Sequence, residues 1–174
     1  VTPSHVLKAE GECYRHRLES LVRESDLERY MIFQDEFVDR QKLCEYLLAT
    51  DFYVTPYPRE QQVTSGTLAY AVGTGRVVVS TPCWHAEDLL SNGSGRVVPF
   101  NDARAIAETI VELHNDPAAY QEIREKAYAK SRKMIWPVVG RSYGELFSAV
   151  KGGRRILEFP PTPAYPQKYQ SSMV

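Results

Sequence analysis

Val77-Val78-Val79-Ser80-Thr81 decides how this chain folds. Three consecutive valines leave no polar face, and a strand that is apolar on both sides has to be covered on both, as the central strand of a parallel sheet is. Upstream, Asp51-Phe52-Tyr53-Val54-Thr55 has the same β-branched and aromatic character and is stopped by Pro56 and Pro58, as a buried strand ending in a loop would be. Between the two runs, Thr64-Ser65 offers a helix N-cap, and Gly66 to Val72 a short helix of small residues that Gly73 ends. Strand, helix, strand in this order predicts a βαβ unit, right-handed crossovers and ligands at the carboxyl ends of the strands.

The alternation continues in both directions. Tyr14, Leu18, Leu21 and Val22 form one stripe of a helix over Glu12 to Ser25. Tyr30-Met31-Ile32-Phe33 has the length and composition of a strand, followed by the acidic turn Gln34-Asp35-Glu36, and Arg40 to Thr50 fits a helix with Leu43, Cys44 and Leu47 inward. Downstream, a helix around His85 to Leu90 leads through Asn92-Gly93-Ser94-Gly95 into a strand at Arg96-Val97-Val98-Pro99. Asn101 or Asp102 then caps a helix carrying Ile106, Ile110 and Leu113, a longer helix starts at Pro117, and a last one fits Gly140 to Val150. The expected fold class is α/β, a Rossmann-like parallel sheet flanked by helices. It forms one domain over residues 1–150 with an incomplete N-terminal edge, and residues 151–174, rich in proline, form an extended or disordered tail.

Composition excludes several classes. The 174 residues are 43% hydrophobic and 25% charged, enough for a single core. Lys plus Arg total 21 against 22 Asp plus Glu, and the net charge of -1 gives no long-range field for nucleic acid or anionic lipid. Apolar runs fall far short of the roughly 20 residues of a membrane span. Val1-Thr2-Pro3-Ser4-His5 lacks the basic start and apolar stretch of a signal peptide. Cys13, Cys44 and Cys83 form no CxxC pair, and the Cys13/His16 and Cys83/His85 half-sites have no second pair to complete them. Neither a metal nor another cofactor is expected, and a cytoplasmic location is.

The polar segment Glu60-Gln61-Gln62-Val63-Thr64-Ser65-Gly66-Thr67 runs from a strand end into a helix N-terminus. Free backbone N–H groups at Thr64 to Thr67, together with the positive end of the helix dipole, can hold a phosphate without a Walker lysine. Small residues at Ser65, Gly66 and Ala69 let a ligand approach the backbone. On the residues alone, Thr64-Ser65 as a purely structural cap is an equally good reading.

Seven pieces stand in register with a known family: Asp51 to Pro56, Pro58 with Glu60, Ala69 to Thr74, Val77 to Thr81, Ala86 to Leu90, Gly95 to Pro99, and Asn101-Asp102. In order and spacing they resemble the C-terminal half of group 1 glycosyltransferases, the large retaining family often called family 4. The resemblance covers roughly Glu12 to Phe147, with Trp136 where the family usually has a tryptophan before its last helix. It implies a GT-B fold, two Rossmann-like domains across a cleft, of which this one binds a UDP-, GDP- or ADP-linked sugar. It also implies retention at the anomeric carbon without an essential metal. The acceptor, a carbohydrate or lipid-linked molecule, would be held by a separate or missing N-terminal domain, which could also attach the enzyme peripherally at the inner membrane.

By the same resemblance Glu60 matches the glutamate that approaches the donor sugar, and Gln61, Gln62, Val63, Thr64, Ser65 and Gly66 match the loop around the diphosphate. Phe37 follows the strand that ends near the nucleobase, where it either stacks on the base or belongs to the core. The family's second glutamate, which holds the ribose, falls at Leu68, and leucine accepts no hydrogen bond. No basic pair for the diphosphate can be carried over; Arg59 is a substitute candidate. Glu87 reads as a cap or surface residue, and His85, next to Trp84, as a structural histidine. The rival readings are a non-catalytic glycosyltransferase-like scaffold or partner module, and a GT-B-shaped epimerase, whose catalytic acids and histidines have no counterpart here.

Overall fold

The computed structural model describes residues 12–34 and 36–152. The described residues divide into two compact units, one up to Tyr46 and one from Leu47 onward. In the first unit, α1 (Cys13–Glu24) precedes an irregular stretch, and α2 (Arg40–Ala49) starts there and runs into the second. The second continues with β1 (Phe52–Thr55), α3 (Gly66–Gly73), β2 (Val77–Ser80) and α4 (Trp84–Leu89). A 3-10 turn (Ser91–Gly93), β3 (Arg96–Val97), α5 (Ala103–Asn115), α6 (Pro117–Ser131) and α7 (Trp136–Lys151) follow.

The sheet is parallel, in the order β1-β2-β3, with Phe52 opposite Val77 and Val79 opposite Arg96. Side chains of β2 point alternately to the two faces, yet all four of its residues are buried, so both faces are covered. Helices α3, α5 and α6 pack against this strand. Val77, Leu113 of α5 and Ile123 of α6 form one cluster, joined by Phe52, Ala119 and Tyr120. The Phe52 and Tyr120 rings meet edge to face at 5.4 Å, and the Tyr120 hydroxyl donates to the Asp51 carbonyl at 3.1 Å, locking the start of β1 to α6.

Local chemistry sets the element ends. Asp102 rather than Asn101 caps α5, its carboxylate accepting from Ala105 N–H at 2.8 Å, while Asn101 turns the chain into the cap at φ 57°. Asp116 caps α6 through the N–H groups of Ala118 and Ala119, with Pro117 in the first turn. Gly95 lets β3 approach β2: a Cβ there would lie 2.7 Å from Leu90 Cδ2 and 3.0 Å from the Val78 carbonyl.

Four expectations are corrected. Tyr30 to Phe33 forms no strand; among the described residues no segment pairs with it, and a strand without a partner has no ladder to stabilise it. Of the α1 stripe only Val22 is buried, and Tyr14 and Leu21 stand in solvent. The strand at residues 96–99 shortens to Arg96–Val97, although Val98 N–H still reaches the Ser80 carbonyl at 2.8 Å; Pro99 has no N–H to extend it. The last helix starts earlier than expected, at Trp136. Of the segment 151–174 read as a tail, residues 153–174 lie outside the described residues.

Leu113 and Val111 test the core. Leu113→Ala removes the side chain that ties α5 to the β2 cluster and should cost about 2–5 kcal/mol. Val111→Ala, exposed on the same helix, should cost under about 0.5 kcal/mol. Urea denaturation midpoints at unchanged slope measure both, and equal losses would show that the cluster is not where stability resides.

Candidate functional site

The loop between β1 and α3 leaves the carboxyl end of β1, and α4 begins just past the carboxyl end of its neighbour β2. The two connections are therefore adjacent, and hydrogen bonds join them. Trp84 N–H donates to the Glu60 carbonyl at 3.0 Å and His85 N–H to the Gln62 carbonyl at 3.2 Å, so the first turn of α4 holds the loop by its backbone. The Thr81 hydroxyl donates to the Tyr57 carbonyl at 2.7 Å, and the Ser80 hydroxyl to the Thr55 carbonyl at 3.0 Å.

Ser65 is the centre of the arrangement. Its side chain caps α3 by accepting from Leu68 N–H at 3.2 Å and also accepts from the Tyr57 hydroxyl at 2.6 Å. The Thr67 hydroxyl lies 3.3 Å away and accepts from the Tyr53 hydroxyl at 2.8 Å. Four hydroxyls thus form one chain across the mouth of the β1–α3 connection. The Ser65 N–H, expected to be free for a phosphate, instead donates to His85 Nδ1 at 2.8 Å. This corrects the sequence reading at one atom. The N–H groups of Gly66 and Thr67, which have no intrahelical partner by position, reach no acceptor among the described residues. A Cβ added at Gly66 would meet nothing within 4 Å, so the space beside Gly66 is open.

The other candidates separate by exposure. The side chains of Glu60 and Gln61 are exposed and make no hydrogen bond or ion pair among the described residues; Arg59 is exposed too. Gln62 folds back to donate to the Thr64 carbonyl, and Val63 is 56% exposed. Leu68 is the reverse, 0% exposed in the core, so its position does not face the open space. Phe37 belongs to the first compact unit, where it is 90% exposed. A concavity of about 880 Å³ along α7 is lined by Arg141, Glu145 and Ser148 among others and by no residue of this loop.

A sequence model of the family described as "Glycosyl transferases group 1" matches residues 6–116, a span that contains the loop, α3, both neighbouring strands and α4. The chain belongs to the group 1 glycosyl transferases. Two solved structures share its fold. Sucrose-phosphate synthase from Thermosynechococcus elongatus is 22% identical with a TM-score of 0.65, over 81% of this chain and 35% of that one. The C-terminal domain of the group 1 family protein LpcC from Francisella tularensis is 17% identical with a TM-score of 0.61, over 75% of this chain and 64% of that one. No curated protein matches. The parallel sheet flanked by helices is thus the α/β, Rossmann-like C-terminal half of a GT-B glycosyl transferase, and the chain spans about a third of the synthase's length. No described helix is long and apolar enough to cross a membrane.

In this group 1 domain Tyr53, Tyr57 and His85 join the site although no motif marked them. His85, read as structural, is one of the residues that connect the two loops, with Ser80, Thr81 and Trp84. Its Nδ1 accepts, so the ring is neutral there with its proton on Nε2. Burial is the main cause that lowers its pKa below 6.5, and the Asp88 carboxylate opposes the shift. A folded-state pKa below the unfolded one gives stability that is complete above about pH 6.5 and declines as pH falls through the folded value. Protonation would also turn the acceptor of the Ser65 N–H into a donor facing it. His85→Asn, which offers a carbonyl oxygen in place of Nδ1 and does not titrate, should lose the part of the stability decrease that the wild type shows between about pH 7 and pH 5. Urea midpoints across that range decide it, and identical pH profiles would remove His85 from the linkage.

Proposed function

We propose that this chain is the donor half of a retaining glycosyltransferase. It binds a UDP-, GDP- or ADP-linked sugar at the N-terminus of α3, and the acceptor is held by a separate domain. One observation carries the reading: two N–H groups, of Gly66 and Thr67, have no acceptor among the described residues at the positive end of a helix that follows the carboxyl end of a parallel strand. A diphosphate leaving group gains negative charge as its bond to the sugar breaks, and fixed N–H dipoles stabilise that charge without reorganising. Glu60, exposed two residues beyond Pro58, orients the sugar, and the glycosyl group is transferred with retention. The chain binds its donor weakly and transfers nothing by itself, because the acceptor side of the cleft lies in the other domain.

Burial of Leu68 favours a second reading, the non-catalytic scaffold, since the family's ribose-binding carboxylate has no counterpart at that position. The hydroxyls of Tyr53 and Thr67, next to the same helix turn, supply polar groups that a ribose can use in the donor-binding reading.

Gly66→Val separates the two. A Cβ at this position meets no protein atom, so the variant should keep its stability within about 0.5 kcal/mol, while its side chain fills the space proposed for the diphosphate. Calorimetric titration with UDP-, GDP- and ADP-linked sugars should show binding to the wild type and a loss of about tenfold or more in this variant, roughly 1.4 kcal/mol. Glu60→Ala should weaken the same titration. Absence of heat with all three donors on the wild type would overturn donor binding and leave the scaffold.

A further inference from the structure

A second built cavity lies at the other end of the sheet. The N-terminus of α3 follows the carboxyl end of β1, whereas the turn Ser91–Gly93 precedes the amino end of β3, and the strands run in parallel. Here the turn and the end of α6 enclose about 370 Å³, lined by Ser91, Asn92, Ser94, Lys126, Lys130 and Lys133. That volume is in the range of small-ligand sites. A spacing of four residues puts Lys126 and Lys130 on one side of α6, and Lys133 stands in the turn just past its end.

Each lysine is placed differently. Lys130 donates to the Asp88 carbonyl and, at 2.7 Å, to the Ser91 hydroxyl, so its ammonium fixes the turn against α6. Burial lowers its pKa, and the nearby Asp88 carboxylate counteracts this. Lys126 bonds Glu122 at 2.5 Å and lies against Gly93, where an added Cβ would sit 3.4 Å from its Nζ. The Lys133 side chain has no acceptor among the described residues, and neither has the exposed Asn92 amide. Two carboxylates, Glu122 and Asp88, act on this group, and Arg96 acts in turn on Glu122, so the cations outnumber the anions by two: Lys126, Lys130, Lys133 and Arg96 against Glu122 and Asp88.

A fold does not need this collection. The helix C-terminus favours a cation in its last turn, and Lys130 with its two acceptors meets that need alone, while Lys126 and Lys130, four residues apart on the helix, repel one another. Ammonium groups donate three hydrogen bonds each and are compact point charges, suited to phosphate oxygens. We propose that this cavity is an anion site for a phosphate monoester, held between the Lys126 and Lys133 ammoniums, with Lys130 and Ser91 as its fixed floor and Asn92 at its rim. The site is independent of the donor position at α3, because the sheet separates them.

The test titrates the ¹⁵N-labelled chain with inorganic phosphate at ionic strength held constant with sodium chloride. Amide shifts should saturate at residues 91–94 and 126–133, with a midpoint separate from that of any shift at Gly66 and Thr67. Lys126→Gln and Lys133→Gln, both at exposed positions, should each weaken the phosphate midpoint about fivefold or more, the equivalent of ~1 kcal/mol. Sedimentation with phosphatidic acid vesicles, against phosphatidylcholine vesicles, distinguishes the source of the phosphate. Co-sedimentation that free phosphate competes away assigns the site to a lipid headgroup, and saturable phosphate shifts without co-sedimentation assign it to a soluble ester. Shifts that do not saturate, or that persist unchanged in both variants, would overturn the proposal.

Discussion

Burial of β2 on both faces is the constraint from which the rest of the second unit follows. With four consecutive residues out of water, the strand can be hydrogen-bonded only by strands on either side and covered only by helices above and below. Parallel neighbours require a crossover between them, which places a helix after each strand. Every connection that leaves a carboxyl end is therefore brought beside the next one. The contact between the β1–α3 loop and the start of α4 is a product of this topology before it is a product of any particular side chain.

Ser65 turns that adjacency into a defined shape. As a cap its hydroxyl satisfies one of the orphan N–H groups of α3, as an acceptor it anchors Tyr57, and through its own N–H it reaches across to His85. Two backbone carbonyls of the loop are held by α4 in addition. The loop is thus fixed from three sides while its Gly66 face stays open, the arrangement that preorganised electrostatic stabilisation requires. A loop held this way has little freedom to lose when a ligand arrives, which lowers the entropic cost of binding.

The fold was legible in the sequence wherever local chemistry and burial agree. The valine run, the proline stops after Thr55, the Asp102 and Asp116 caps and Pro117 all act within a few residues of their own position. Tyr30 to Phe33 failed for the complementary reason: strand propensity is realised only when a partner supplies the ladder, and propensity cannot report whether one is present. At the site, the loop could be located from its place between a strand and a helix, and Glu60 only through the family resemblance. The Tyr57 and His85 contacts could not, since they join residues 8 and 20 positions apart through the fold. The signal available was topological: two consecutive parallel strands put their exit loops side by side, so polar residues just after Ser80 were candidates to meet those before Gly66. Leu68 was visible as an exception in sequence, but only its complete burial shows that the side chain has become part of the core.

The outer edge of β1 has a bearing on how this molecule behaves in concentrated solution. Among the described residues Phe52–Thr55 pairs on one side only, and Val54 is 38% exposed. Such an edge carries an unused row of donors and acceptors flanked by β-branched and aromatic side chains, with no charged residue between Phe52 and Thr55 to repel an approaching strand. The same strand whose carboxyl end leads into the Ser65 loop is, along its length, an edge that no charge protects.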